Sequence, residues 1–66
     1  GVHPVDRIAI QRAIARLPER LRIVFVLREV EGYSHKEIAE MLGITSGSSA
    51  TRLSRAWSLL RKDVDL

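Results

Sequence analysis

The stretch Ser34-His35-Lys36-Glu37, followed six residues later by Gly43, brackets a helix before any other part of the chain is considered. In a capping box the serine oxygen accepts from a first-turn amide and the glutamate reaches back to the serine amide, so this spacing marks a helix start. Glycine is the residue best suited to the left-handed conformation that ends one. Together they predict a short helix over His35–Leu42, with Ile38, Ala39 and Leu42 as its inward stripe. A longer helix follows, capped by Thr45 and running to about Lys62. A short helix, a turn of about four residues containing Gly43 and a longer helix is the build of a helix-turn-helix. Ile44 is the expected apolar plug of the turn, joining Ile38, Leu42 and Leu53.

Two further helices fit in the residues before this pair. The first is expected over Asp6–Arg16, with Ile10, Ala13, Ile14 and Leu17 at helical spacing. Leu17-Pro18 interrupts it, because the residue before proline is pushed out of the α region while proline suits the first position of a new helix. The second helix is therefore expected to start at Pro18 and to carry Leu21, Val24, Phe25, Leu27 and Val30 toward a core, with Gly32 as its left-handed cap. Ile23-Val24-Phe25-Val26-Leu27 is rich in β-formers but lies inside a longer helical period without turn residues, so no strand is expected. The fold class is all-α: a small four-helix domain, residues 1–66, with a C-terminal helix-turn-helix. A chain that starts so abruptly at a helix is expected to be one piece of a larger protein.

Several function classes are not expected. There is no cysteine, and His3 and His35 lack metal-ligand spacing, so neither a metal nor another cofactor is anticipated. No glycine-rich phosphate loop or nucleophile motif is present, which argues against an enzyme. No apolar run approaches the roughly 20 residues that span a bilayer, and Gly1-Val2-His3-Pro4 lacks the parts of a signal peptide. A soluble, cytoplasmic protein without a membrane partner is the expectation.

Charge is more informative in its distribution than in its net value of +3. Between Ile44 and Lys62 stand Arg52, Arg55, Arg61 and Lys62 with no acid, whereas between Glu29 and Glu40 four glutamates face Lys36 alone. Such a distribution is compatible with solvated faces, but it also places one sign of charge on the last helix. With Leu53 at the centre of that helix's buried side, Ser49, Ala56, Trp57 and Leu60 fall near it, and Ser48, Thr51, Arg55, Ser58 and Lys62 fall opposite.

Those positions support a nucleic-acid reading. Arg55 in the middle of the exposed face is suited to two acceptors of guanine, and Thr51 offers a hydroxyl or methyl to a base edge, with Ser54 and Ala50 at the margins. Arg52 on the flank suits a phosphate, as does Lys36 beside His35 in the first turn of the short helix. Thr45, Ser46, Gly47 and Ser48 keep the start of the long helix small, so that a phosphate can approach its free amides; Ser49 is the last of that small run. Arg20, Arg28 and Glu31 are candidates to face a protein partner. Trp57 is expected to pack at the core's edge against the first two helices, with a partner anchor as the alternative.

Leu17-Pro18-Glu19-Arg20, Val24 through Ser34, Glu37-Ile38-Ala39-Glu40 and Leu42-Gly43-Ile44 together resemble region 4 of bacterial sigma-70-family factors, especially the extracytoplasmic-function (ECF) group. The resemblance runs from about Ile10 to Arg61. It implies recognition of the promoter −35 element through the last helix, docking on the flap of the RNA polymerase β subunit, and control by an anti-sigma factor, the domain itself being a monomer. After the turn the family usually shows Ser-x-Gly-Thr-Val-Lys-Ser-Arg-Leu-x-Arg-Ala, where this chain has Thr45 through Ala56. The cap, the glycine, Arg52-Leu53 and Arg55-Ala56 are kept; Ala50 replaces a frequent basic residue, and so does Trp57. Two alternatives stand beside this reading. One is a sigma-like fold used mainly for protein interaction, and the other a response-regulator output domain, which often dimerises through its last helix.

Overall fold

The computed structural model describes residues 4–64. Its order is α1 (Pro4–Arg16), α2 (Glu19–Phe25) continuing into a π-helical segment (Val26–Val30), α3 (His35–Leu42) and α4 (Ser46–Val64). No strand occurs among the described residues, and Ile23 to Leu27 is helical throughout. Of the expected boundaries, that of α3 is met residue for residue. Helix α1 starts two residues earlier than Asp6, and α4 runs two residues beyond Lys62. Gly1, Val2 and His3 lie outside the described residues.

The α1–α2 break differs from expectation by one residue. Pro18 is the N-cap of α2 rather than its first residue, with φ −52° and an extended ψ of 141°. Its carbonyl accepts from the amides of Leu21 and Arg22, both at 2.9 Å, so proline ends one helix and founds the next.

Helix α4 is the element on which the others assemble: α1, α2 and α3 each pack against it. Ala13, Leu17, Leu21 and Phe25 meet Ala56 and Leu60 in one buried cluster, with Ile14, Leu53, Trp57 and Val64 partly buried around it. Burying a large aliphatic or aromatic side chain stabilises by roughly 1.5–3 kcal/mol, so these few residues carry much of the stability of so small a chain. The α3 side is closed by Ile38, fully buried, and Ala39. At the far end Arg16 holds α1 to α4, donating from Nε (3.0 Å) and Nη2 (2.6 Å) to Oδ2 of Asp63. Both partners are largely exposed, which limits the pair to at most about 1 kcal/mol.

The second helix departs from the expected pattern. Leu21, Val24 and Phe25 are buried as anticipated, but Leu27 is only half-buried and Val30 is 65% exposed. Helical spacing accounts for Val30: at about 100° per residue it lies roughly 120–180° round the axis from Leu21, Val24 and Phe25. The Glu31 amide donates to the Val26 carbonyl at 2.9 Å, five residues back, and the Tyr33 amide to Leu27 at 3.0 Å, six back. The first bond belongs to the π-helical turn and the second closes the helix end across Gly32. Gly32 then reverses the chain with φ +84°.

Candidate nucleic-acid interface

The helix-turn-helix is built from local chemistry. Ser34 Oγ accepts from the Glu37 amide at 3.1 Å, and Glu37 Oε1 accepts from the Ser34 amide at 2.9 Å, which starts α3 with a complete capping box. Donation from the Ser34 backbone first, and from its side chain second, holds the Glu37 carboxyl below its usual range. Gly43 ends α3 with φ +69°, a conformation that disfavours any residue with a Cβ, and its amide donates to the Ala39 carbonyl. The Ile44 amide reaches the same carbonyl at 3.1 Å. Ile44, Leu42 and Leu53 are half-buried, and Ile38 is fully buried.

Thr45 then caps α4: its Oγ1 accepts from the Ser48 amide at 3.0 Å, and its carbonyl from the Ser49 amide at 3.0 Å. The amides of Ser46 and Gly47, both exposed residues, precede the first intrahelical donor. There is no acid in the first turn of α4, so the positive end of its dipole is uncompensated by the helix itself. A Cβ on Gly47 would meet nothing nearer than Thr45 Oγ1 at 3.9 Å, so space for a ligand remains over these amides.

Along α4, Ala50, Thr51, Ser54 and Arg55 are exposed side by side, while Arg52 is half-buried on the flank. Lys36, Thr45, Ser46 and Gly47 are exposed at the two helix starts, and Ser48 is half-buried with its amide already taken by Thr45. The small-residue run therefore stops one position short of the expectation. Ser49 is fully buried and makes a 2.8 Å hydrogen bond with His35 Nδ1, so it belongs to the α3–α4 interface and no phosphate can reach it. A half-buried His35 facing a buried serine is a tertiary pairing, and no local pattern announces it.

Trp57 is half-buried at the edge of the core. Its ring meets that of Phe25 edge-on, centroids 5.1 Å apart at 70°, and its Nε1 donates to Glu29 Oε1 at 3.4 Å. That agrees with packing at the core's edge against the second helix. Arg28, on the neighbouring turn, spends one donor on the Tyr33 carbonyl at 3.3 Å; Arg20 and Glu31 are exposed. Among the described residues no three His, Cys, Asp or Glu side chains converge as a metal ion would require, and no helix is long and apolar enough to cross a membrane.

Residues 7–60 match the family model for sigma-70, region 4. The chain is 40% identical over 55 residues to the ECF RNA polymerase sigma factor SigM of Mycobacterium tuberculosis, covering 83% of this chain and 28% of the relative. It is 37% identical over 71 aligned positions to the ECF RNA polymerase sigma factor SigW of Bacillus subtilis, covering 97% and 38%. With the ECF RNA polymerase sigma-E factor of Salmonella typhimurium it shares 42% over 45 residues, 68% and 24%. The chain thus spans well under half the length of these relatives. No solved structure matches it. The matched residues run unbroken from α1 to the buried Leu60 of α4, helix-turn-helix included, and on that extent the chain belongs to the sigma-70 region 4 family.

Proposed function

We propose that this chain is the region 4 module of an ECF-type sigma factor and that it recognises the promoter −35 element with α4, supporting transcription initiation. The observation that carries the reading is the outer face of α4. Ala50, Thr51, Ser54 and Arg55 lie exposed beyond a helix start with unoccupied amides, and no acid occurs from Ile44 to Lys62. In this reading the Ser46 and Gly47 amides and the hydroxyls of Thr45 and Ser48 hold phosphates, as do Lys36 and Arg52. Counterion release supplies the affinity. Arg55 and Thr51 read base edges, with Ser54 and Ala50 beside them. Thr45 serves twice, since an oxygen that accepts from the Ser48 amide still has its own proton to donate.

The same membership supports two protein partners, the β flap of RNA polymerase and an anti-sigma factor, for a monomeric module working in the cytoplasm. The ECF names of the relatives support the type. Titration of the chain with a −35-like duplex at two salt concentrations tests the DNA assignment. Arg55→Ala is expected to relax base preference and to weaken the preferred duplex by about 1–3 kcal/mol. Arg52→Ala is expected to weaken all duplexes alike and to lower the salt slope by about 1. Equal loss on every duplex for both variants would remove the assignment of roles. The uncharged, exposed Ala50 favours the second reading, a sigma-like protein-interaction module, and absence of saturable binding even at low salt would leave that one standing.

A further inference from the structure

Ser49 is the buried polar side chain of the described fold, with none of its surface reaching solvent, and it occupies the position where the family pattern has valine. A hydroxyl in an apolar site is not a neutral replacement for a methyl, because it must find a partner or lose its hydration without return. Here the partner is His35 Nδ1 at 2.8 Å, reaching from the first residue of α3 to the first turns of α4. The bond can run in either sense, the hydroxyl donating to Nδ1 or an Nδ1–H donating to the hydroxyl, according to the ring tautomer, and in both it gives the buried oxygen its partner.

We propose that His35 is a positioning residue for the reading helix, and that the Ser49 hydroxyl is the handle by which it sets the seat of α4. Ser49 lies two residues from Gly47 and two from Thr51, so whatever fixes it also fixes the amides offered to phosphate and the first base-reading side chain. An aliphatic contact tolerates sliding and rotation; a hydrogen bond to one ring nitrogen specifies both distance and direction. The consequence for DNA rests on the reading of α4 as the −35-recognition helix, whereas the seat itself does not.

Four variants of the 66-residue chain decide it. His35→Leu leaves the buried hydroxyl orphaned, and His35→Asn restores a polar atom near the place of Nδ1. His35→Gln reaches instead toward the place of Nε2, and His35→Leu with Ser49→Val replaces both partners by apolar groups. Amide exchange at Ser48 to Arg52, read without DNA, is expected to speed up about tenfold or more in His35→Leu and His35→Gln. It is expected to return close to the parent rate in His35→Asn and in the double variant. On −35-like duplexes, His35→Leu loses discrimination between single-base variants, and His35→Asn keeps it. Equal protection in all variants, or Asn and Gln behaving alike, overturns the proposal. Should no form bind duplex at any salt, the DNA reading fails, while the exchange rates still decide whether His35 seats α4.

Discussion

The starts of α3 and α4 lie eleven residues apart and answer the same problem differently. Every helix begins with amides that lack an intrahelical partner. At α3 the protein answers for itself: Ser34 and Glu37 cap reciprocally, and the glutamate also sets a negative charge against the dipole. At α4 only Thr45 caps, the next residues are serine and glycine, and the first turn holds no acid. Stability alone would favour an acid there as it does at α3. Leaving it out keeps a positively polarised, uncrowded surface that an external anion can occupy. One helix start is closed by its own side chains, and the other is left with amides and dipole uncompensated.

The comparison breaks most readily by giving α4 what α3 already has. Gly47→Glu fits sterically, since a Cβ there makes only ordinary contact, and it supplies the missing acid. Duplex affinity is expected to fall by several kcal/mol from like-charge juxtaposition. The helix itself should gain about 0.3–1 kcal/mol, read as a higher Tm of the free chain. Loss of both, or retention of both, would remove the distinction between the two helix starts. Ser34→Ala is the next largest test. It should lower stability by about 1–2 kcal/mol, a Tm drop of several degrees in a chain this small, with the salt slope of duplex binding unchanged. Thr45→Ala should lower stability by less, about 0.5–1 kcal/mol, yet weaken duplex binding as well.

The smallest effect is electrostatic. Because the Glu37 carboxyl is held below its ordinary range in the folded chain, its contribution is present above the unfolded-state value. It is lost as pH falls through the lower, folded value. The Ser34 amide should therefore lose protection on acidification below the ordinary glutamate range while the Ser48 amide, capped by a threonine that does not titrate there, keeps it. Glu37→Gln should remove the difference in slope between the two amides, as measured by pH-dependent exchange.

How much of this was readable in advance follows the range of the interactions. Ser34, Glu37, Gly43 and Thr45 act within a few residues, and the structure places α3 and the start of α4 where those residues said. The buried stripe of α4 through Ser49, Ala56 and Leu60 follows from helical spacing in the same way. Val30 is misplaced when it is counted as a core-facing apolar residue of the second helix, although helical spacing sets it roughly 120–180° from Leu21, Val24 and Phe25. The His35–Ser49 bond and the Arg16–Asp63 pair join residues 14 and 47 positions apart, so only the packed structure brings them together. Ser49 draws two expectations, the buried stripe from helical spacing and the phosphate-facing start from its run of small residues, and the structure places it in the first.

The dependence of α1, α2 and α3 on α4 has a consequence for the order of synthesis. Within this chain the three leading helices leave the ribosome before their common partner exists. Leu17, Leu21 and Phe25 have no Ala56 or Leu60 to close on until α4 itself has been made. A nascent chain that stops before Ala56 should therefore be open to proteases throughout α1, α2 and α3. Completion of α4 and acquisition of a protected fold by these residues are one event, so no protected intermediate of them lacking α4 should accumulate.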